Sequence, residues 1–453
     1  MNNLTDKFID FISALKYEDI SVKALHQLRV CLIDTLGVTI AGAAELYEKD
    51  LLLLQLFNND SSVINPIGIS EKTSLANAIL INGMNAHFLE LDDGTRFGVI
   101  HPSAPLFSAL IPVAIAQKVS WKQFALGAIC GYETSIRLAY AMQPSHYASG
   151  FHPTATCCTV GVAVGLSVML GYDKQEIKDA FSAATISSYG TLKVLEDTSQ
   201  LKPYNCGKAA LMGYYAAVLA KAGFCGPNDA LSGNTGFFHM MCNQYDENKL
   251  LNWEGIFAIE KVYLKPYASC RHTHPEIEAA IILRQQNGFN IENIKSVSVT
   301  TYKGVLGKHD GNVIYGESSA RMSIPYSLAV ALYTGKAGIE EFTDQYINHP
   351  LVQKITKMCV VKGDDELSKL VPDKRIAKVE IQMSDGLVFT QQVDYPKGEP
   401  ENPLTEDELK TKFLSMTSHA GIGNEIAYSL FKMLMNSNEI EIHQLAKHIP
   451  IYQ

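Results

Sequence analysis

The sequence predicts a mainly α protein, with a large all-helical domain built from N- and C-terminal segments and a smaller α/β domain. Three observations carry this. Apolar residues recur at helical spacing through residues 1–262. After Val262 the texture changes to short period-two runs. Helical spacing then returns beyond a tract holding Pro396, Gly398, Pro400 and Pro403. At 453 residues the chain exceeds one small core. The expected boundaries are 1–262 and 400–453 for the helical domain, and 263–399 for the α/β domain.

Each element has a local reason. Phe8, Ile9, Phe11, Ile12 and Leu15 share a face over 5–16, with Thr5 as the expected N-cap. Leu25, Leu28, Leu32, Ile33 and Leu36 continue as a helix over 21–43, and 51–57 reads as a separate apolar helix. Pro66 and Gly68 break the pattern into a loop over 61–68. Helices follow over 74–90, from near Ala104 to Gln117, over 121–143 and over 159–170. Asp173 and Glu176 have capping-box spacing and start a helix that runs to Ser188. Lys208–Ala222 is closed by Gly223. In the insert, 296–302 alternates as a half-buried strand, and 378–383 and 387–393 flank Ser384-Asp385-Gly386 as a hairpin. Helices are expected over 276–286, 323–333, 405–415 and 425–435.

Composition narrows the function. The net charge of −9 argues against nucleic acid as a partner, so an anionic substrate must be drawn by local Lys, Arg and His. The N-terminus lacks the pattern of a signal peptide, and no apolar stretch is read as reaching the ~18 residues of a membrane span. Nine cysteines without CxxC spacing suit a reduced, cytoplasmic protein with no iron–sulfur or structural zinc framework.

Four stretches combine charge with irregular backbone. They are Glu90-Leu-Asp92-Asp93-Gly-Thr95-Arg96 with His101; His146 to His152; Leu201-Lys202-Pro203-Tyr204 through Lys208; and Lys265 through Cys270-Arg271-His272-Thr273-His274. Each has a bland alternative: a helix-ending turn, a helix-entry His-Pro, a solvated loop lysine, a core histidine. A metal site from His272 and His274 with His101 and His152 lacks any HExxH-like spacing, and none is expected.

Taken together, the stretches AHFLELDDGTRFGVIHPSA (86–104), GFHPTATCCTVGVAVGLSVMLG (150–171), LKPYNCGKAALMGYYAAVLAKAGF (201–224) and LKPYASCRHTH (264–274) resemble the MmgE/PrpD family. That family includes 2-methylcitrate dehydratases, cis-aconitate decarboxylases and iminodisuccinate epimerases. SIPYSLAVAL (323–332) and GEPENPLTEDELKTKF (398–413) extend the likeness nearly end to end. The resemblance implies that the α/β domain caps the helical one as a lid, and it implies a homodimer, no cofactor, and a basic pocket for a small polycarboxylate between the domains. By position it implies a site containing Asp92 or Asp93, Thr95, His101, His152, Lys202 and Cys270.

The residue types suit that chemistry. A proton beside a carboxylate is weakly acidic, so its removal needs a positioned base and cations for the dianionic enolate. Lys202 in a desolvated cleft among cations reads as a base, with His152 as the alternative. His101 and the acidic loop would assist departure of a β-hydroxyl, the loop orienting histidines without touching carboxylates. Arg271 and Lys265 would bind carboxylates, with Arg96 and His274 as further substrate contacts. Tyr147 and Cys270 are second proton carriers if the outcome is inversion. The acidic loop departs from the aromatic form of many dehydratases and decarboxylases, and Cys270 stands where decarboxylase-like members have histidine. Three readings follow: a hydro-lyase on a hydroxy-polycarboxylate such as 2-methylcitrate, an epimerase of an iminodisuccinate-type dicarboxylate, with cis-aconitate decarboxylation less expected, and an inactive carboxylate-binding homologue.

Overall fold

A computed structural model describes residues 3–57, 63–196, 199–253, 255–436 and 442–449. The helical part comprises α1 (Leu4–Ala14), α2 (Val22–Leu56), α3 (Leu75–Phe88), α4 (Ser103–Gln117), α5 (Trp121–Met142), α6 (Pro153–Met169), α7 (Lys174–Ser187) and α8 (Lys202–Lys221). The second part holds α9 (His274–Arg284), β1 (Ile294–Tyr302), α10 (Ile324–Thr334), α11 (Pro350–Met358), β2 (Cys359–Asp364), β3 (Ala377–Met383) and β4 (Val388–Val393). Helices α12 (Glu406–His419) and α13 (Asn424–Asn436) follow, and α12 packs on α2.

Helix starts follow side-chain chemistry. Ser21, Ser74, Ser120 and Asp173 each accept a hydrogen bond from a first-turn amide. The N-cap of α1 is Asn3, not Thr5, whose hydroxyl instead bonds Asp229. The two helices expected over 21–43 and 51–57 are one, because nothing between them breaks the chain and Asp50 is bonded by Asn85. α6 and α8 begin nearly two turns earlier than their apolar spacing suggests, with Pro153 and Pro203 in their first turns.

Correcting the expectation that no apolar run reaches membrane length, α2 meets that test by length and composition. Its apolar window is 83% buried in the fold. Asp34 there is buried and ion-paired with Lys412 at 2.6 Å, as in a core helix.

The helices meet through small residues. A Cβ added to Gly42 on α2 would lie 2.0 Å from the carbonyl oxygen of Asn85 on α3. Backbone cannot yield as a flexible side chain does, so Gly42→Ala is expected to destabilise by about 3 kcal/mol or more, read from chemical denaturation.

The sheet order is β2-β1-β3-β4, with β1 parallel to β2 and antiparallel to β3, and β3 antiparallel to β4. Val299 pairs with Val361 on one side and Val379 on the other. The β3–β4 turn forms at Ser384-Asp385-Gly386, where Gly386 has φ 93°. β2 is an edge strand that sequence reading missed; Cys359 is its only fully buried side chain. One apolar cluster fills the helical part and another backs the sheet, and the second recruits Val38, Ala41, Leu89, Leu91 and Met416. The loop after α3 therefore lies where the two cores meet.

Candidate active site

That loop carries the first histidine and carboxylate pairs. Two of its non-glycine residues are left-handed, Glu90 at φ 56° and Val99 at φ 54°. Such backbone costs about 1–3 kcal/mol per residue and persists where surroundings over-determine it. Here the surroundings are ionic. Glu90 pairs with Lys202 and lies 3.5 Å from Lys265 Nζ. Burial would raise the Glu90 carboxyl, but Lys202 and Lys265 together hold it below the usual carboxylate range.

Asp92 and Asp93 point different ways. The Nδ1–H of His87 donates to Asp92 at 2.6 Å, and His101 Nδ1 and Lys265 Nζ each lie 3.7 Å from its carboxylate. Burial opposes ionisation of Asp92, yet His87, His101 and Lys265 hold its carboxyl well below the ordinary value. Asp93 instead turns into the helical core, accepting from the Ser103 amide at 3.0 Å and the Tyr132 hydroxyl at 3.0 Å. Burial raises it to about 7. The candidacy of Asp93 as a catalytic residue is corrected: it braces the start of α4. Asparagine mimics its neutral form, so Asp93→Asn should change turnover less than about threefold. Asp92→Asn removes a charged partner of His87 and should cost about tenfold or more, read as kcat/KM.

Two imidazoles are held in opposite tautomers. His101 Nδ1 donates to the Asp93 carbonyl at 2.6 Å, which leaves Nε2 as the acceptor. His152, at the entrance of α6, accepts at Nδ1 from the Asn205 amide at 3.3 Å. The same amide nitrogen donates to the Thr191 carbonyl at 3.3 Å, which fixes its orientation and leaves His152 with Nε2–H. Burial, with Lys265 and His87 nearby, lowers His101 to about 3. Burial, His87, Lys202 and His101 lower His152 likewise. His87 sits beside both, its ring centroid 5.1 Å from His101 and 6.0 Å from His152.

These groups open on a small cavity whose lining includes His101, Tyr147, His152, Lys202, Cys270 and Arg271. Tyr263, His272, His309 and Arg375 complete its ionisable lining, which among the described residues contains no carboxylate. Arg271 lies on Glu399 at 2.7 Å, and its Nη1 is buried without an acceptor. Burial raises the Tyr147 phenol and the Cys270 thiol, so both remain protonated. Lys202 meets a carboxylate, whereas sequence reading put it among cations alone. Lys265 lies beneath, fully buried.

Three further expectations are corrected. Thr95 is buried with its backbone paired to Ile100, and its hydroxyl accepts from the Phe97 amide at 3.4 Å. Arg96 is committed to Glu399 and Glu401, each at 2.5 Å, and does not line the cavity. His274 is buried on Tyr267, with Nε2 on the Ser269 carbonyl at 3.2 Å. None of the three lines the cavity, although Arg96 Nε and His274 Nδ1 are buried without a partner. His146 is satisfied at both nitrogens, by Met241 and Thr156.

Sequence reading missed Glu90 as a ligand of both lysines, and also His87, His309 and Arg375. His87 sits five residues before Asp92, a spacing a helix end can fold back. His309 and Arg375 carry no local signal. Cys270, His272 and His309 offer ligand atoms within 4.8 Å of one another. Arg375, Lys308 and Arg271 act on His272 there, a field that opposes a dication.

Residues 6–249 match the MmgE/PrpD N-terminal domain and residues 267–425 the MmgE/PrpD C-terminal domain. A cis-aconitate decarboxylase of Homo sapiens is 23% identical over 97% of this chain and 93% of its own length. A 2-methylcitrate dehydratase of Salmonella typhimurium is 23% identical over 86% of this chain and 84% of its own.

Proposed function

The chain belongs to the MmgE/PrpD family, and from that premise we propose that it is a lyase that dehydrates a small hydroxy-polycarboxylate of the 2-methylcitrate type. The observation that carries this reading is the cavity lining. Lys202, Arg271 and Arg375 face it with four imidazoles and, among the described residues, no carboxylate, a field suited to a polyanion. The names of the relatives, dehydratases and decarboxylases, favour the same class.

The chemistry follows from the tautomers. His101 Nε2 accepts the proton α to a carboxylate, and the electron pair moves onto that carboxylate as an aci-dianion. His152 Nε2–H and the ammonium of Lys202 stabilise it. The pair then returns to form the double bond while the β C–O bond breaks. Lys202 delivers a proton to the departing hydroxyl, which leaves as water. This reverses the expected roles of His101 and Lys202, because the tautomer of His101 leaves a lone pair and Lys202 is paired with Glu90.

A second reading, epimerisation of a dicarboxylate, is supported by the Tyr147 phenol and Cys270 thiol, two protonated groups on the same cavity. One assay separates the outcomes. In deuterated water, NMR of the enzyme with 2-methylcitrate, citrate, cis-aconitate and aminodicarboxylates is expected to report an alkene product and loss of water. Solvent deuterium gained without loss of water would identify an epimerase, and release of CO₂ a decarboxylase. No change in any of them would leave a carboxylate-binding homologue.

A further inference from the structure

Among the described residues, buried lysines and arginines are matched with carboxylates within the 4.0 Å of an ion pair, with one exception. Arg96 and Arg271 lie on Glu399, Lys265 on Glu90, and Lys412 on Asp34. Arg137 and Arg321 have Glu133 and Glu317 four residues away on their own helical turns. Arg375 has none. It is 7% exposed, its Nη2 donates to the Arg96 carbonyl at 3.3 Å, and its Nε is buried without an acceptor. A buried charge without a counter-charge is costly, and folds retain one where a ligand completes it.

Its position gives the ligand class. Arg375 lines the same cavity as Arg271, whose Nη1 also lacks an acceptor. Tyr263 stands with them, its ring centroid 4.8 Å from the Arg271 guanidinium. Burial keeps its phenol protonated against the pull of both arginines. The two groups are held by different partners: His101 and His152 pack on His87, whereas Arg375 bonds the Arg96 carbonyl and Arg271 lies on Glu399. Two planar guanidinium forks on one cavity suit a carboxylate.

We propose that Arg375, with Arg271 and the Tyr263 hydroxyl, forms a second carboxylate subsite, so that the substrate carries one carboxylate at the histidine pole and another at Arg375. This rests on the polycarboxylate reading above and adds the anchor for the non-reacting end. Arg375 is a specificity residue: it selects ligands long enough to span both poles.

Titration calorimetry on the full chain tests it with tricarballylate, glutarate and inorganic phosphate as probes. Wild type is expected to bind tricarballylate, with Arg375→Gln weakening it about tenfold or more and Arg375→Lys falling between. The melting temperature of ligand-free Arg375→Gln should equal or exceed that of wild type, since a structural arginine would lower it. Tricarballylate affinity within twofold of wild type in Arg375→Gln would overturn the subsite and leave the polycarboxylate reading standing. Arg375-dependent binding of phosphate with no carboxylate binding would overturn the carboxylate assignment. Wild type binding none of the probes would overturn both. If Arg375→Gln does not fold, Arg375→Lys decides by the same comparison, and if neither folds the residue is structural and the subsite falls.

Discussion

Replacing His101 with asparagine is expected to lower kcat/KM by about 10³-fold, the middle of the range for loss of a positioned general base. The expectation comes from a single atom. The Asp93 carbonyl takes the Nδ1 proton of His101, so the lone pair is left on Nε2 at the cavity wall. Asparagine offers no basic nitrogen there. The pH profile adds a second readout. Burial lowers His101 to about 3, so in the free enzyme this group limits kcat/KM only on the far acid side. A bound polyanion raises that value, so the acid limb of kcat should lie at higher pH than that of kcat/KM. The same shift bears on stability. Burial holds His101 and His152 below their ordinary value, so the unfolded chain binds more protons than the fold. Their contribution is present above roughly pH 6.5 and is lost as pH falls from there. His101→Asn should therefore flatten part of the acid loss seen in denaturation curves. Near-wild-type kcat/KM in the variant would remove His101 from the base role.

Much of the helical part was legible because its determinants are local. Apolar spacing, serine and aspartate caps and the Asp-Gly turn act within a few residues, and the elements they mark form close to where expected. The misses share a cause. β2 holds Lys362, Gly363 and Asp364, so only its pairing with β1 makes it a strand. α2 is unbroken because its polar residues find partners on α3 and α12, far along the chain. The site behaves the same way. Types and order pointed to His101, His152, Lys202 and Cys270, which line one cavity. Direction did not: Asp92 and Asp93 are neighbours in sequence, yet one faces the histidines and the other the Ser103 amide. Arg96 and Arg271 share Glu399 and each keeps a nitrogen without an acceptor, but only Arg271 lines the cavity.

Lys202→Met should remove activity by about two to three orders of magnitude and, separately, destabilise the fold. The two losses have different origins. Activity falls because the ammonium that stabilises the dianion and protonates the leaving hydroxyl is gone. Stability falls because Glu90, 5% exposed, keeps only the longer contact to Lys265 at 3.5 Å. Removing one partner of a buried pair costs about 3–5 kcal/mol, and the partial exposure of Lys202 puts the expectation at the lower end. Linkage gives the sign with pH. Burial works against the Glu90 carboxylate, but the two lysines hold its folded value below the unfolded one. The pair therefore contributes fully above roughly pH 4.3 and fades as pH falls below it. The gap in denaturation midpoint between wild type and Lys202→Met should narrow over that acid range. Adding Glu90→Gln to Lys202→Met removes the stranded charge, so the double variant should regain most of the stability and none of the activity. A double variant as unstable as the single one would show that the ion pair is not what Lys202 contributes to the fold. Recovered turnover would show that Lys202 serves only to neutralise Glu90, and the proton for the leaving hydroxyl would then have to come from Tyr147 or His152.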